Sequence, residues 1–188
     1  MRKFIGIILV IGLTFSSCCK TKECRCDLEE AYVNPEAQKW VEPLTSQRVG
    51  LRTIAGKQDE LVSDYFQYFY CIGEGDCCTD FPYLTLDFTT DSLGLKLFHV
   101  TALKDDVTFS SPDGGQIGIL TVTTNTLKSS GDINMTTFSG NYAGNYVEGV
   151  HIENTNLRSG IAFITLDYIQ TVGVISYMGL DSTEWRRK

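Results

Sequence analysis

From about residue 44 onward, apolar and polar residues alternate in short runs rich in β-branched and aromatic side chains, each stopped by Gly, Asn or Asp. A period of two over such runs predicts strands near 46–54, 60–71, 83–89, 94–101, 106–110, 116–123, 132–140, 146–153, 160–169 and 172–178. Leu84, Leu86 and Phe88 face one way, with Thr85 and Asp87 opposite. Val147, Val150 and Ile152 change phase around Gly149, which predicts a bulge there. In the last two runs apolar residues occupy both phases, which predicts a strand pair covered on both sides.

The breaks carry hairpin chemistry: Gly56-Lys57-Gln58-Asp59, Ser111 to Gly115, Ser129 to Asp132, Asn141 to Asn145 and Asn156 to Gly160. Gly and Asn supply the positive φ such turns need. Short links between consecutive strands predict an all-β antiparallel meander of about ten strands, curved into a sheet or barrel, with a β-sandwich as the alternative. No helical stripe is long enough for a βαβ unit, so a nucleotide-binding α/β fold is disfavoured.

The first 43 residues read differently. Arg2 and Lys3 precede the apolar run Phe4 to Phe15, and Ser16-Ser17 lead into Cys18, the order of a secretory signal over 1–17. As a helix this run rises only about 18 Å, short of the roughly 30 Å hydrocarbon core, so a permanent span is not expected. A polar segment over 18–43 reads as a tether to the all-β domain, 44–188. It carries one predicted helical turn around Pro35 to Trp40, with Asn34 as N-cap and Pro35 at N1, and Trp40 as the first residue expected to dock on the body.

Charge narrows the function classes. Sixteen Lys and Arg against 23 Asp and Glu give −7 at neutral pH, which argues against a nucleic-acid partner, because phosphates need a basic footprint. Removal of 1–17 takes Arg2 and Lys3 with it and leaves the remainder more acidic still.

Setting Cys18 aside, Cys19, Cys24, Cys26, Cys71, Cys77 and Cys78 form an even set suited to disulfides in an exported chain, with the connectivity open. Free thiols and metal binding are the alternatives. CxC at Cys24-Cys26, vicinal Cys77-Cys78 and two isolated histidines do not make a zinc spacing, and no cofactor is expected.

Candidate chemistry is sparse. No GxSxG elbow occurs. His99 shares the phase of Leu95 and Leu97 and reads as a packed histidine, whereas His151 should face away from Val150 and Ile152. Glu74, Asp76 and Asp80, or Asp105-Asp106, are the carboxylates that a glycosidase would need, and the first group could offer oxygen ligands to Ca²⁺ without forming an EF-hand loop. Tyr65, Phe66, Tyr68, Phe69 and Tyr70, with Tyr142 and Tyr146, are core or girdle residues or the lining of a pocket for a sugar or apolar ligand.

Phe15-Ser16-Ser17-Cys18 resembles the lipobox of bacterial lipoproteins, with Phe where Leu is usual. The resemblance implies acylation of Cys18 on sulfur and nitrogen, and multiple chains hold a protein on a membrane. The whole layout is similar to the small lipoproteins of the Bacteroidota: lipobox, polar tether, then a β body ending in a hairpin with Phe163 to Tyr168, Gly173 to Tyr177 and Trp185. That likeness implies a location in the bacterial envelope. Cys19-Lys20-Thr21-Lys22-Glu23 replaces the acidic cluster of surface-exported members, which favours the outer membrane's periplasmic face. It also marks Ser92 in Asp91-Ser92-Leu93 and Ser182 in Asp181-Ser182-Thr183 as candidate O-glycosylation sites. The expected function is a membrane-anchored binding or assembly module, with an envelope protein or a small apolar or sugar ligand as partner. The alternative is an envelope hydrolase acting on a glycan or lipid through a carboxylate pair.

Overall fold

The computed structural model describes residues 32–42, 46–72, 79–91, 94–131 and 133–188, with the backbone alone at 69–72 and 79–82. The described residues form one antiparallel sheet of twelve strands that curls nearly into a closed barrel. The strands are β1 (Gln47–Thr53), β2 (Gln58–Ile72), β3 (Thr79–Thr90), β4 (Lys96–Leu103), β5 (Asp106–Ser110), β6 (Gln116–Thr121), β7 (Thr126–Ser129), β8 (Ile133–Tyr142), β9 (Asn145–Asn154), β10 (Phe163–Ile169), β11 (Gly173–Gly179) and β12 (Glu184–Arg187).

Among the described residues each strand pairs with its neighbours in sequence, except that β7 and β8 form no ladder. The ring closes instead between β1 and β12, with Leu51 opposite Arg187, Arg52 opposite Arg186 and Thr53 opposite Trp185. The meander is therefore stitched at its ends and open in its middle.

Ten strands follow the alternation of the sequence. β7 and β12 do not, because Thr126-Leu127-Lys128-Ser129 and Glu184-Trp185-Arg186-Arg187 are too short and too polar for a period of two to register. The double apolar phase of the last hairpin has a different cause from the one expected. Register shifts between Phe163 and Thr165 and between Asp167 and Tyr168 leave Ile164 and Ile175 as the extra residues of bulges. Phe163, Leu166 and Tyr168 then all point inward and are buried, while Ile169, on the opposite face from Tyr168, is buried as well, so the pair is covered on its second side only at that end.

Gly149, by contrast, is no bulge, since β8 and β9 pair without interruption. It makes room: a Cβ there would stand 2.4 Å from the Phe138 ring and 2.6 Å from the Tyr168 carbonyl oxygen. The ring of Phe138 lies over the glycine directly across the strand pair.

Side chains fill the barrel. Leu51, Leu61, Leu86, Val100, Ile117, Ile152 and Leu166 are among those buried to 2% exposure or less. A narrow, partly open gap between Val49, Leu61, Phe88, Val174 and Arg187 measures about 10 Å³, room for one water at most.

Part of the filling comes from the segment before the sheet. Asn34 caps the turn α1 (Pro35–Gln38) by accepting the Glu36 N–H, and Pro35 supplies the φ of the first turn, as the sequence predicts. A 3₁₀ turn over Lys39–Val41 continues it inward. Ala37, Trp40 and Val41 are buried in the common core.

Docking starts before Trp40: the Asn34 N–H donates to the Lys104 carbonyl at 2.9 Å, and the Asn34 amide to Asp105 at 2.7 Å. Thr171 N–H donates to the Lys39 carbonyl at 2.7 Å. The segment is thus a plug held by the β4–β5 and β10–β11 turns, which lie at the same rim.

Tyr168 is the centre of the packing. Its ring stacks on Trp40 at 6.3 Å and meets Phe88, Phe98 and Phe109 edge-on at 5.8, 6.0 and 5.6 Å. Its hydroxyl donates to the Trp40 carbonyl. Burial pushes the phenol well above its ordinary pKa, so it stays a neutral donor.

Candidate functional site

Several residues singled out from the sequence lie outside the described residues: Cys18, Cys19, Cys24, Cys26, Cys77 and Cys78, Glu74 and Asp76, and Ser92. Cys71 and Asp80 lie in β2 and β3 with backbone alone described, and share one register position. Ser182 is exposed at the β11–β12 turn, where Thr183 donates through both its N–H and its hydroxyl to the Asp181 carboxylate. Those bonds hold the Asp181 carboxyl below its usual range. Among the described residues no helix is long and apolar enough to cross a membrane, and no group of His, Cys, Asp and Glu could hold a metal ion.

Both histidines face outward. His99 leaves the phase of Leu97 because Leu97 is the extra residue where Phe88 pairs with Phe98 and Thr89 with Lys96. That bulge buries Leu97 and Phe98 together and turns His99 to the outer face, 3.7 Å from Asp87 across the strand pair. His151 faces away from buried Val150 and Ile152, as its phase predicts.

On β10, Asp167 takes His151 Nδ1 on one carboxylate oxygen at 2.6 Å and accepts the Ser176 hydroxyl on the other at 2.5 Å. This row holds Ser, His and Asp but not in a catalytic order. The acid stands between the other two, and His151 and Ser176 are on strands two apart, roughly 10 Å, so the imidazole cannot take the hydroxyl proton.

Four further carboxylates are also tied. Asp105 accepts from Asn34, and Asp106 from Thr121 at 2.6 Å. Glu60 and Asp91 share the Arg48 guanidinium at 3.2 and 3.1 Å on an exposed face. The aromatic run of β2 splits by phase. Tyr65 packs against the core, while Phe66 and Tyr68 are exposed and stack with Tyr83 in an outer ladder, with centroids 6.0 and 5.1 Å apart.

The feature that sequence reasoning missed is the seam. β7 has four residues and β8 ten, so β7 can flank only the first part of β8. Where they meet, a side chain replaces the ladder. Ser129 Oγ accepts the Met135 N–H at 3.1 Å and donates to the Met135 carbonyl at 3.5 Å. Ile133 N–H adds a bond to the Ser130 carbonyl at 3.3 Å. Met135 fills the space over Gly118, where a Cβ would stand 2.6 Å from its sulfur.

Below this latch the direction of the β8 backbone follows from the pairing. Outward groups alternate along an antiparallel edge, and those of Ile133 and Met135 point away from β9, so Thr137, Ser139 and Asn141 point theirs the same way. The far side of β9 agrees. Glu148, opposite Ser139, spends its carbonyl on Gln170 N–H of the next strand at 2.9 Å. Thr137, Ser139 and Asn141 are exposed, and their own strand ends in a two-residue turn, Ala143-Gly144, with φ of 48° and 86°.

The only sequence signal for this edge is one of composition: no charged residue occurs from Ile133 to Val147. Comparison of the chain with protein-family models, with curated proteins and with solved structures finds no match.

Proposed function

We propose that the chain is a lipid-anchored binding or assembly module of the bacterial envelope that works through the exterior of its barrel. The observation that carries this reading is the combination of a filled interior with an unladdered strand edge. A carrier of the lipocalin kind needs a hollow core, and here the centre is occupied by Tyr168, its ring neighbours and the Trp40 plug. An exposed edge, in turn, offers main-chain bonds to an added strand, a recurrent mode of protein recognition. Support for the anchor comes from the sequence: Arg2-Lys3, the apolar run to Phe15, and Ser16-Ser17 before Cys18.

Intact mass of the full-length protein from a bacterial envelope, for wild type and Cys18→Ala, tests the anchor. A triacyl increment present in the first and absent in the second is expected, and an unacylated wild-type chain overturns it. A photo-crosslinking amino acid replacing Tyr142, at the far end of the edge, tests the surface. Covalent adducts formed in the envelope are expected there and not at an equivalent probe replacing Lys57. Absence of any adduct at Tyr142 overturns the edge as the working surface.

A further inference from the structure

We infer that the edge of β8 left without a ladder among the described residues pairs with the same edge of a second copy of this chain, giving a two-fold dimer through antiparallel strand addition. The inference rests on the reading of this edge as the working surface and names its partner.

The first ground is register. In an antiparallel ladder, residues that point their N–H and C=O toward the partner sit opposite one another as hydrogen-bonded pairs. The three outward residues of the stretch without a ladder among the described residues, Thr137, Ser139 and Asn141, are evenly spaced about Ser139. A two-fold through Ser139 therefore sets Ser139 against its own copy and Thr137 against Asn141 twice, and every outward group of the stretch finds a partner. A self-complementary patch is what an isologous interface requires.

Charge is the second ground. A chain at −7 repels its own copy, and edges are ordinarily guarded by charges, Pro or bulges. The stretch from Ile133 to Val147 has no charged residue and no Pro, and β8 pairs with β9 without a bulge. β7, on the other side of the seam, carries Lys128. Two copies can thus meet along β8 without setting like charges opposite each other.

Reach is the third. The two-fold sets the barrels antiparallel, so the chains leave from opposite ends. Residues 18 to 31 contribute at most roughly 50 Å of contour at about 3.5 Å per residue. That exceeds the roughly 33 Å length of a ten-residue strand, so two anchored copies can lie side by side along one leaflet.

The test is analytical ultracentrifugation of the full-length protein in detergent, with the detergent mass matched out. Wild type is expected as a dimer. Thr137→Lys together with Asn141→Lys places like charges opposite each other at both pairs and should weaken the dimer about ten-fold or more. Thr137→Lys with Asn141→Glu places Lys opposite Glu at both pairs and should restore it. That rescue is specific to this register, and both variants leave the bonds to β9 intact.

Ser139→Pro, which removes one outward donor on an edge strand, should also give monomer. Circular dichroism melting checks its fold, and if it unfolds, the two charge variants decide. A monomeric wild type, or a dimer that the Lys pair leaves unchanged, overturns self-pairing. If Tyr142-probe adducts then contain only another protein, the edge remains the working surface with a different partner. If no adducts form, that reading falls as well.

Discussion

At the scale of single residues, Tyr168 and Trp40 tie the segment before the sheet to the core. The Tyr168 hydroxyl donates to the Trp40 carbonyl inside the core, so Tyr168→Phe leaves a buried acceptor unpaired and should cost about 1–3 kcal/mol. Trp40→Ala removes the ring that stacks on Tyr168 and should cost about 3–5 kcal/mol, read from urea melts. The pH dependence follows from the same burial. The folded phenol binds its proton more tightly than the unfolded one, whose pKa is near 10. Stability from this group is therefore complete below about pH 10 and falls above it, by up to about 1.4 kcal/mol per pH unit. Tyr177, also pushed up by burial and then by Asp59 and Asp181, adds in the same direction. Melts of Tyr168→Phe should show a shallower loss on the alkaline side than wild type. An identical slope would show that this buried phenol does not govern it. Asn34 as N-cap and Pro35 at N1 were legible in the sequence because capping is local chemistry. The depth to which Trp40 goes was not, since it depends on rings contributed by residues from Phe88 to Tyr168.

At the scale of elements, alternation identified every strand long enough to show it and failed where a bulge shifted the phase. His99 and the Phe163–Tyr168 run are such cases: one extra residue, Leu97 or Ile164, reverses the face of everything beyond it. Gly149 misled for the opposite reason, because its change of phase reflects the Phe138 ring laid across it and not an inserted residue. The seam was invisible to pattern altogether, since β7 is four residues long and its contact with β8 runs through one serine. Ser129→Ala deletes both bonds to Met135 and should cost about 1–2 kcal/mol. Hydrogen exchange at the Met135 amide should quicken markedly while Ile152, inside the β9–β10 ladder, keeps its protection. Equal acceleration at both would mean that the serine acts on the whole barrel and not on the latch. The candidate site was therefore legible only as a stretch without charge.

At the scale of the whole molecule, the all-β class, the meander and the curvature follow from short turns and period-two strands. Closure does not, because β12 joins β1 across more than a hundred residues of chain and carries no strand signature of its own. Deleting Trp185 to Lys188 should open the ring, leave β1 unpaired on one side, and strip the stacking of Trp185 on Tyr177. A lowered and broadened thermal transition is expected by circular dichroism, and an unchanged one would show that the terminal strand is dispensable.

The placement of that closing strand also governs time. β12 leaves the ribosome after the other eleven strands, and its partner β1 is the first of them. Hairpins can form as they emerge, but the contact between first and last strands carries the largest loop-closure entropy and must wait. Until that contact forms, β1 lacks its second neighbour. A barrel built in this order is sealed last at β1, so its closing step is the one most exposed to the length of chain between the two strands.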